Sequence, residues 1–245
     1  MRRIRIQLRT ELMLLARNGE QLLLTLIIPV LLLGFFGSVD VLPSPNMDLN
    51  ADPIQFLTPG VLAIAIMSSS MVSLGIATGF ERSYLVLKRL GATPLTRIEL
   101  VIAKILSVFT VQLIQTIILL SLGLALGWQP GGSTWPLAIV VVLFGTSAFA
   151  GIGLILAGQL RAEINLAAQN GLYLVLLLLG GMVIPRDSLP DFLGNTVQGL
   201  PSTALADLLR STLNGDSAGL VVPCAVLGAW GIIAPAIAAR RFRWS

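Results

Sequence analysis

Histidine is absent from this 245-residue chain, and cysteine occurs once, at Cys224. The first absence excludes Ser-His-Asp triads, Cys-His pairs, HExxH zinc sites and haem ligation through histidine. The second excludes an intrachain disulfide framework or a cysteine cluster for zinc or iron–sulfur, so no metal site is expected. Cys224 itself reads as a buried, inert thiol. No Gly-x-x-x-x-Gly-Lys-Ser/Thr stretch occurs, so the chain has no loop of the usual kind for ATP phosphates. Charge is scarce as well, at 11% of residues against 55% hydrophobic. Soluble domains carry about 25% charged residues, so this surface cannot face water on all sides.

Long apolar runs fill the space that charge leaves. A membrane-spanning helix needs roughly 20 mostly apolar residues, and six stretches qualify: Leu22–Val39, Leu57–Phe80, Val101–Leu126, Pro136–Leu160, Leu166–Ile184 and Leu220–Ala239. Their length and unbroken apolarity indicate helices; barrel strands would be about ten residues long and would alternate in polarity. The expected architecture is an all-α integral membrane protein with six transmembrane helices, forming a single domain over residues 1–245. The first run is long and no small-residue cleavage site follows it, so no cleavable signal peptide is expected.

Basic residues orient the spans. With the N-terminus inside, Arg2, Arg3, Arg5, Arg9, Arg17, Arg82, Lys88, Arg89, Arg97, Lys104, Arg161, Arg240, Arg241 and Arg243 are cytoplasmic, and only Arg186 and Arg210 fall outside. That asymmetry is a strong positive-inside signal, placing both termini in the cytoplasm of a cell-membrane protein. The pI near 10.0 then reflects loops beside anionic lipid rather than nucleic-acid binding.

Between the spans, residues 1–19 read as an interfacial amphipathic helix. Ile4, Leu8, Leu12 and Leu15 recur at helical spacing, Arg2, Arg5 and Arg9 mark another face, and Asn18-Gly19 supplies a stop. A basic tail that only sets topology is the other reading. The cytoplasmic loop 81–99 is long for a turn and holds a short helix at Ser83–Leu90, stopped by Gly91 and Pro94. The external segment 185–219 holds two short helices before the last span. One starts at Leu189-Pro190, the other at Pro201 and ends at Asn214-Gly215.

Polar residues line up inside the spans: Ser69 with Ser73, Gln112 with Gln115 and Thr116, and Asn165, Gln169 and Tyr173 at i, i+4, i+8. Two readings stay open, interhelical hydrogen bonds and the lining of a substrate path. Gly75-x-x-x-Gly79 permits a close helix contact, a pattern common by chance. Lys104 lies near a span end, where snorkelling to the interface explains it more simply than a serine–lysine hydrolase does. No span carries an ionisable residue near its centre, which weighs against an ion-coupled secondary transporter.

Two stretches carry a resemblance. The first runs Phe80-Glu81-Arg82-Ser83-Tyr84-Leu85-Val86-Leu87-Lys88-Arg89-Leu90-Gly91-Ala92-Thr93-Pro94-Leu95, followed by Glu99 and Ala103-Lys104-Ile105. The second is Leu189-Pro190-x-Phe192-Leu193, Leu200-Pro201-Ser202-Thr203, Asp207-x-x-Arg210 and Gly215. In order and spacing they resemble the loop after the second span and the outer segment of type-two (ABC-2 type) ABC exporter permeases, with Ser83 and Tyr84 departing from the usual residues. The resemblance implies a permease subunit that pairs with a second permease, homodimeric or heterodimeric, and with an ABC-type ATPase. ATP and magnesium would be held by that ATPase, and no cofactor by this chain. The Glu81–Thr93 helix would couple to the motor through Glu81, Arg82, Tyr84, Leu87, Lys88, Arg89, Thr93 and Pro94, with Glu81 a hinge lock on a basic partner. The short outer helices, with Pro190, Phe192, Pro201 and Arg210, would form the exit gate. A mildly polar path of the residues above suits a lipophilic or amphipathic substrate such as a drug, lipid or glycolipid. A non-transporting accessory membrane protein is the alternative.

Overall fold

The computed structural model describes residues 2–38, 53–131, 135–182, 197–215 and 219–241. These residues are helical throughout their regular elements. Helix α1 covers Arg2–Arg17 and α2 Gly19–Ser38. Helix α3 runs Pro53–Ser83, α4 Val86–Gly91, α5 Arg97–Ala125 and α6 Trp135–Gln159. Helix α7 covers Ala162–Leu179; after a single 3₁₀ turn at Val197–Gly199 come α8, Pro201–Asn214, and α9, Val221–Arg241. Among the described residues, five helices are long and apolar enough to cross a membrane: α3, α5, α6, α7 and α9.

Element starts follow local chemistry that span-counting misses. Helix α5 begins at Arg97, four residues before its apolar run. Thr96 caps it reciprocally with Glu99, each side chain bonding the other residue's backbone N–H. Helix α7 begins at Ala162 and α3 at Pro53, both ahead of the apolar stretch. At the other end of α8, Gly215 takes a left-handed φ of +83°, which closes the helix as the Asn214-Gly215 pair requires.

Helix α3 is the central element. Every residue from Leu57 to Met67 is buried, which is why this run is apolar on all faces rather than amphipathic. At Ser68–Ser73 its hydrogen bonding widens to a π-helical turn. Around it pack α2, α5, α6, α7 and α8, and α9 lies along α6. The α6–α9 approach is close because Gly151 has no side chain: a Cβ there would lie 2.5 Å from the Pro235 nitrogen. Helix α8 is too short to span yet buries Ala204, Leu205, Ala206, Leu208, Leu209 and Leu213 in the main apolar cluster with Ile66 and Phe149. A second cluster, around Leu87, Leu100, Val101 and Ala238, closes the opposite end.

The helix ends sort into two layers. Gly37, Ile54 and Leu126 meet at the α8 end, where Trp128 Nε1 also donates to Asn214 Oδ1 at 3.1 Å. Arg3 donates to the Pro94 carbonyl at 2.8 Å at the α4 end. Helix α2 therefore begins at the α4 end, beside α1, and finishes at the α8 end, beside the start of α3. Its twenty helical residues rise about 30 Å.

Candidate functional site

Two carboxylates and one ammonium meet at the α4 end. Lys104, on α5, is 1% exposed, and its Nζ stands 2.8 Å from Glu81 Oε2 and 3.2 Å from Glu11 Oε2. Gln7 Nε2 donates to the other oxygen of Glu11 at 2.8 Å. Three separate elements, α1, α3 and α5, are thus tied through one side chain. An isolated ammonium at that depth would be very costly, and paired carboxylates are what make the position tenable. Snorkelling is therefore not what Lys104 does: its ammonium turns inward to Glu11 and Glu81. Sequence reading assigned Glu81 a basic partner but missed Glu11. A lysine eight residues beyond the N-cap of an apolar helix signals that some acid lies near it, but not which one.

Helix α1 has the expected two faces, with Ile4, Leu8, Leu12 and Leu15 half-buried and Arg2, Arg5 and Arg9 exposed; its most buried residues are nonetheless the polar Gln7 and Glu11, facing α5.

The segment after α3 is not one helix from Glu81 to Thr93. It breaks at Tyr84–Leu85, where Leu85 adopts φ +60°, a left-handed conformation uncommon for a non-glycine residue. The short α4 that follows is anchored by Leu87, fully buried in the second apolar cluster. Tyr84, Leu85, Val86, Lys88 and Arg89 are exposed around that anchor, as are Thr93 and Pro94. Arg82 turns back to the carbonyls of Ala157 and Leu160, at 3.3 and 3.4 Å, placing its cation at the C-terminal end of α6. The result is a firmly seated base under an aromatic and apolar tip, with two cations beside it.

The polar residues inside the bundle are mostly spent on helix-to-helix bonds. Ser69 Oγ donates to Gln112 Oε1 at 2.7 Å, and Gln115 Nε2 reaches the Thr25 carbonyl at 2.8 Å. Asn165 Nδ2 reaches the Gly75 carbonyl and Gln169 Nε2 the Gly153 carbonyl, both at 2.9 Å. Gly75 and Gly79 are the seats for these two side chains; a Cβ at Gly79 would fall 2.5 Å from Asn165 Nδ2. Tyr173 packs against the main apolar cluster instead. Ser69 and Ser73 also line a cavity of about 580 Å³ that reaches Glu11, Glu81 and Lys104.

At the α8 end, Pro201 sits buried in the first turn of its helix. Arg210 donates to the carbonyls of Gly181 and Met182, at 2.6 and 3.2 Å, and lies 3.8 Å over the Phe56 ring. It closes the end of α7 onto α8 and α3. Burial draws its guanidinium down to about 10, with Asp207 pulling the other way; it stays a cation at neutral pH. Pro190 and Phe192 lie outside the described residues, as does the first of the two short helices. Cys224 is exposed on α9, contrary to the buried thiol expected.

The family model for the ABC-2 type transporter matches residues 2–214. A protein of Bacillus subtilis (strain 168) named "Putative transport permease YvfS" is 26% identical over 193 residues, 78% of each chain. The chain belongs to the ABC-2 type transporter family.

Proposed function

We propose that this member of the ABC-2 family is the membrane-spanning subunit of an ATP-driven exporter, carrying a lipophilic or amphipathic molecule out of the cytoplasm or its inner leaflet. The α4 end faces the cytoplasm and the α8 end faces outward, an orientation supported by the basic residues that the described chain gathers at the former. Helix α2 is the sixth span, since its 20 residues rise about 30 Å, enough to cross a bilayer core. ATP and magnesium belong to a partner ATPase, and a second permease copy, or a related chain, completes the path between the two halves.

One observation carries the reading: an exposed Tyr84–Leu85–Val86 tip on the buried Leu87 anchor, braced by the Glu11–Lys104–Glu81 cluster. A loose connector would need no such bracing. A lever that takes a push from another chain does. Closure of the ATPase dimer would move α4, and the ion cluster would pass that displacement to α1, α3 and α5 together. Glu81 is the lock at this hinge. The motor shifts the bundle only by binding one packing better than the other. Arg210 and Pro201 hold the outer gate shut on α7 until the spans re-pack.

The test is purification of the tagged chain in mild detergent, with identification of co-purifying proteins and an ATP-hydrolysis assay. An ABC-type ATPase is expected in fixed stoichiometry, released by Tyr84→Ala with Leu85→Asp. A preparation without ATPase, even after crosslinking, would leave the accessory-protein reading in its place.

A further inference from the structure

The cavity of about 580 Å³ lies between α1, α2, α3 and α5, and its wall is uneven in a way that selects a ligand. Most of it is apolar, from Leu14, Leu74, Ala77, Val108 and Val111. One end carries the carboxylates of Glu11 and Glu81 with Lys104 between them. Arg17 also lines the cavity but is exposed to water, where screening weakens it. Beside Glu81, the rings of Phe80 and Tyr84 stack at 6.1 Å between centroids and present aromatic surface to the same space. Carboxylate oxygen and aromatic faces together are what an ammonium group seeks, and the apolar remainder suits a hydrocarbon or ring system.

We propose that this cavity binds an amphiphile with an ammonium head, the head at Glu81 and Phe80 and the tail between α2 and α3. As the substrate class of the exporter, this rests on the transport reading above; as a binding site, it stands on the cavity alone. The same chemistry could come from an exported lipophilic amine or from an amino-phospholipid of the adjoining leaflet.

Full-length protein in phosphatidylglycerol nanodiscs, which contain no amine, is photolabelled with a long-chain alkylamine bearing a mid-chain diazirine, and the label is mapped by mass spectrometry. Labelling is expected on the α2 and α3 peptides around Thr25 and Ser73. Dodecyltrimethylammonium should compete about tenfold better than dodecanol, the difference one such cation contact supplies, and dodecanoate should not compete. Ser73→Trp fills the cavity without touching a charge and should abolish labelling; Glu81→Gln should erase the preference for the ammonium. Equal competition by dodecanol, better competition by dodecanoate, or labelling indifferent to Ser73→Trp would each overturn the proposal. The competition series uses the unaltered protein, so misfolding of a variant does not rescue the idea. Repetition in phosphatidylethanolamine nanodiscs separates the sources: suppressed labelling identifies a resident amino-phospholipid, persistent labelling an exported amine. Co-purification of an ATPase is read independently, so failure of the transport reading is distinguishable from failure of this one.

Discussion

At the scale of single residues, Lys104 decides more than any other position. Its ammonium sits about 12 Å along α5 from the Thr96 cap, too deep to be left alone and well placed to reach two acids. Removing one partner of a buried charge cluster costs about 3–5 kcal/mol, while neutralising all partners together often costs little. Lys104→Met should therefore lower the thermal unfolding midpoint in detergent sharply. The triple variant with Glu11→Gln and Glu81→Gln should recover most of the loss. If the triple variant is no better than Lys104→Met, the carboxylates are not what Lys104 neutralises. Glu81 was legible from the sequence because it stands in the stretch that resembles the permease coupling loop. Glu11 was not, because its partner is 93 residues away and only the fold of α1 onto α5 joins them. Asn165 and Gln169 were legible as one helical face. That Gly75 and Gly79 are their seats was not, since a glycine pair reads the same whether or not anything fills it.

At the scale of elements, the α3–α4 junction shows how one conformation separates two roles. A left-handed leucine costs about 1–2 kcal/mol relative to a residue without that strain, whereas glycine adopts the same φ at no steric cost. Leu85→Gly should therefore leave the unfolding midpoint unchanged or raise it. It removes an exposed apolar side chain from the tip, and so should weaken retention of the ATPase. Leu87→Ala should do the reverse at first order: a loss of about 2–5 kcal/mol from the second apolar cluster, with docking impaired only as α4 loosens. Midpoints and ATPase pull-down measured side by side distinguish the two. A Leu85→Gly protein that retains its ATPase fully would take Leu85 out of the docking surface. The sequence placed a short helix in this loop from its glycine and proline stops, but not the break at Tyr84–Leu85. Leucine gives no sign of a positive φ, and Leu85 takes one two residues before the buried Leu87.

At the scale of the whole molecule, the proposed number of crossings turns on the path of α2. Arg3 bonds Pro94 and Glu11 bonds Lys104, so α1 shares an end of the bundle with α4. Gly37 meets Ile54 and Leu126 at the other end. On the proposed six-span reading, a chain that starts at one end and enters α3 from the other has crossed once before α3 begins, and five further crossings, by α3, α5, α6, α7 and α9, return it to its starting side. The proposed orientation then puts Thr10 and Ala92 in the cytoplasm and Gln129 and Gln198 outside, all four exposed. With Cys224→Ser as background, single cysteines at these positions can be treated with a membrane-impermeant maleimide in intact cells. Gln129→Cys and Gln198→Cys should label at once, Thr10→Cys and Ala92→Cys only after the membrane is opened. Complete inversion of the pattern would preserve the fold and overturn the orientation drawn from the arginines. Labelling of Thr10→Cys and Ala92→Cys from opposite sides would be more serious, because the Arg3–Pro94 and Glu11–Lys104 contacts require both on one side. The lever from α4 into α1 would then have no physical path.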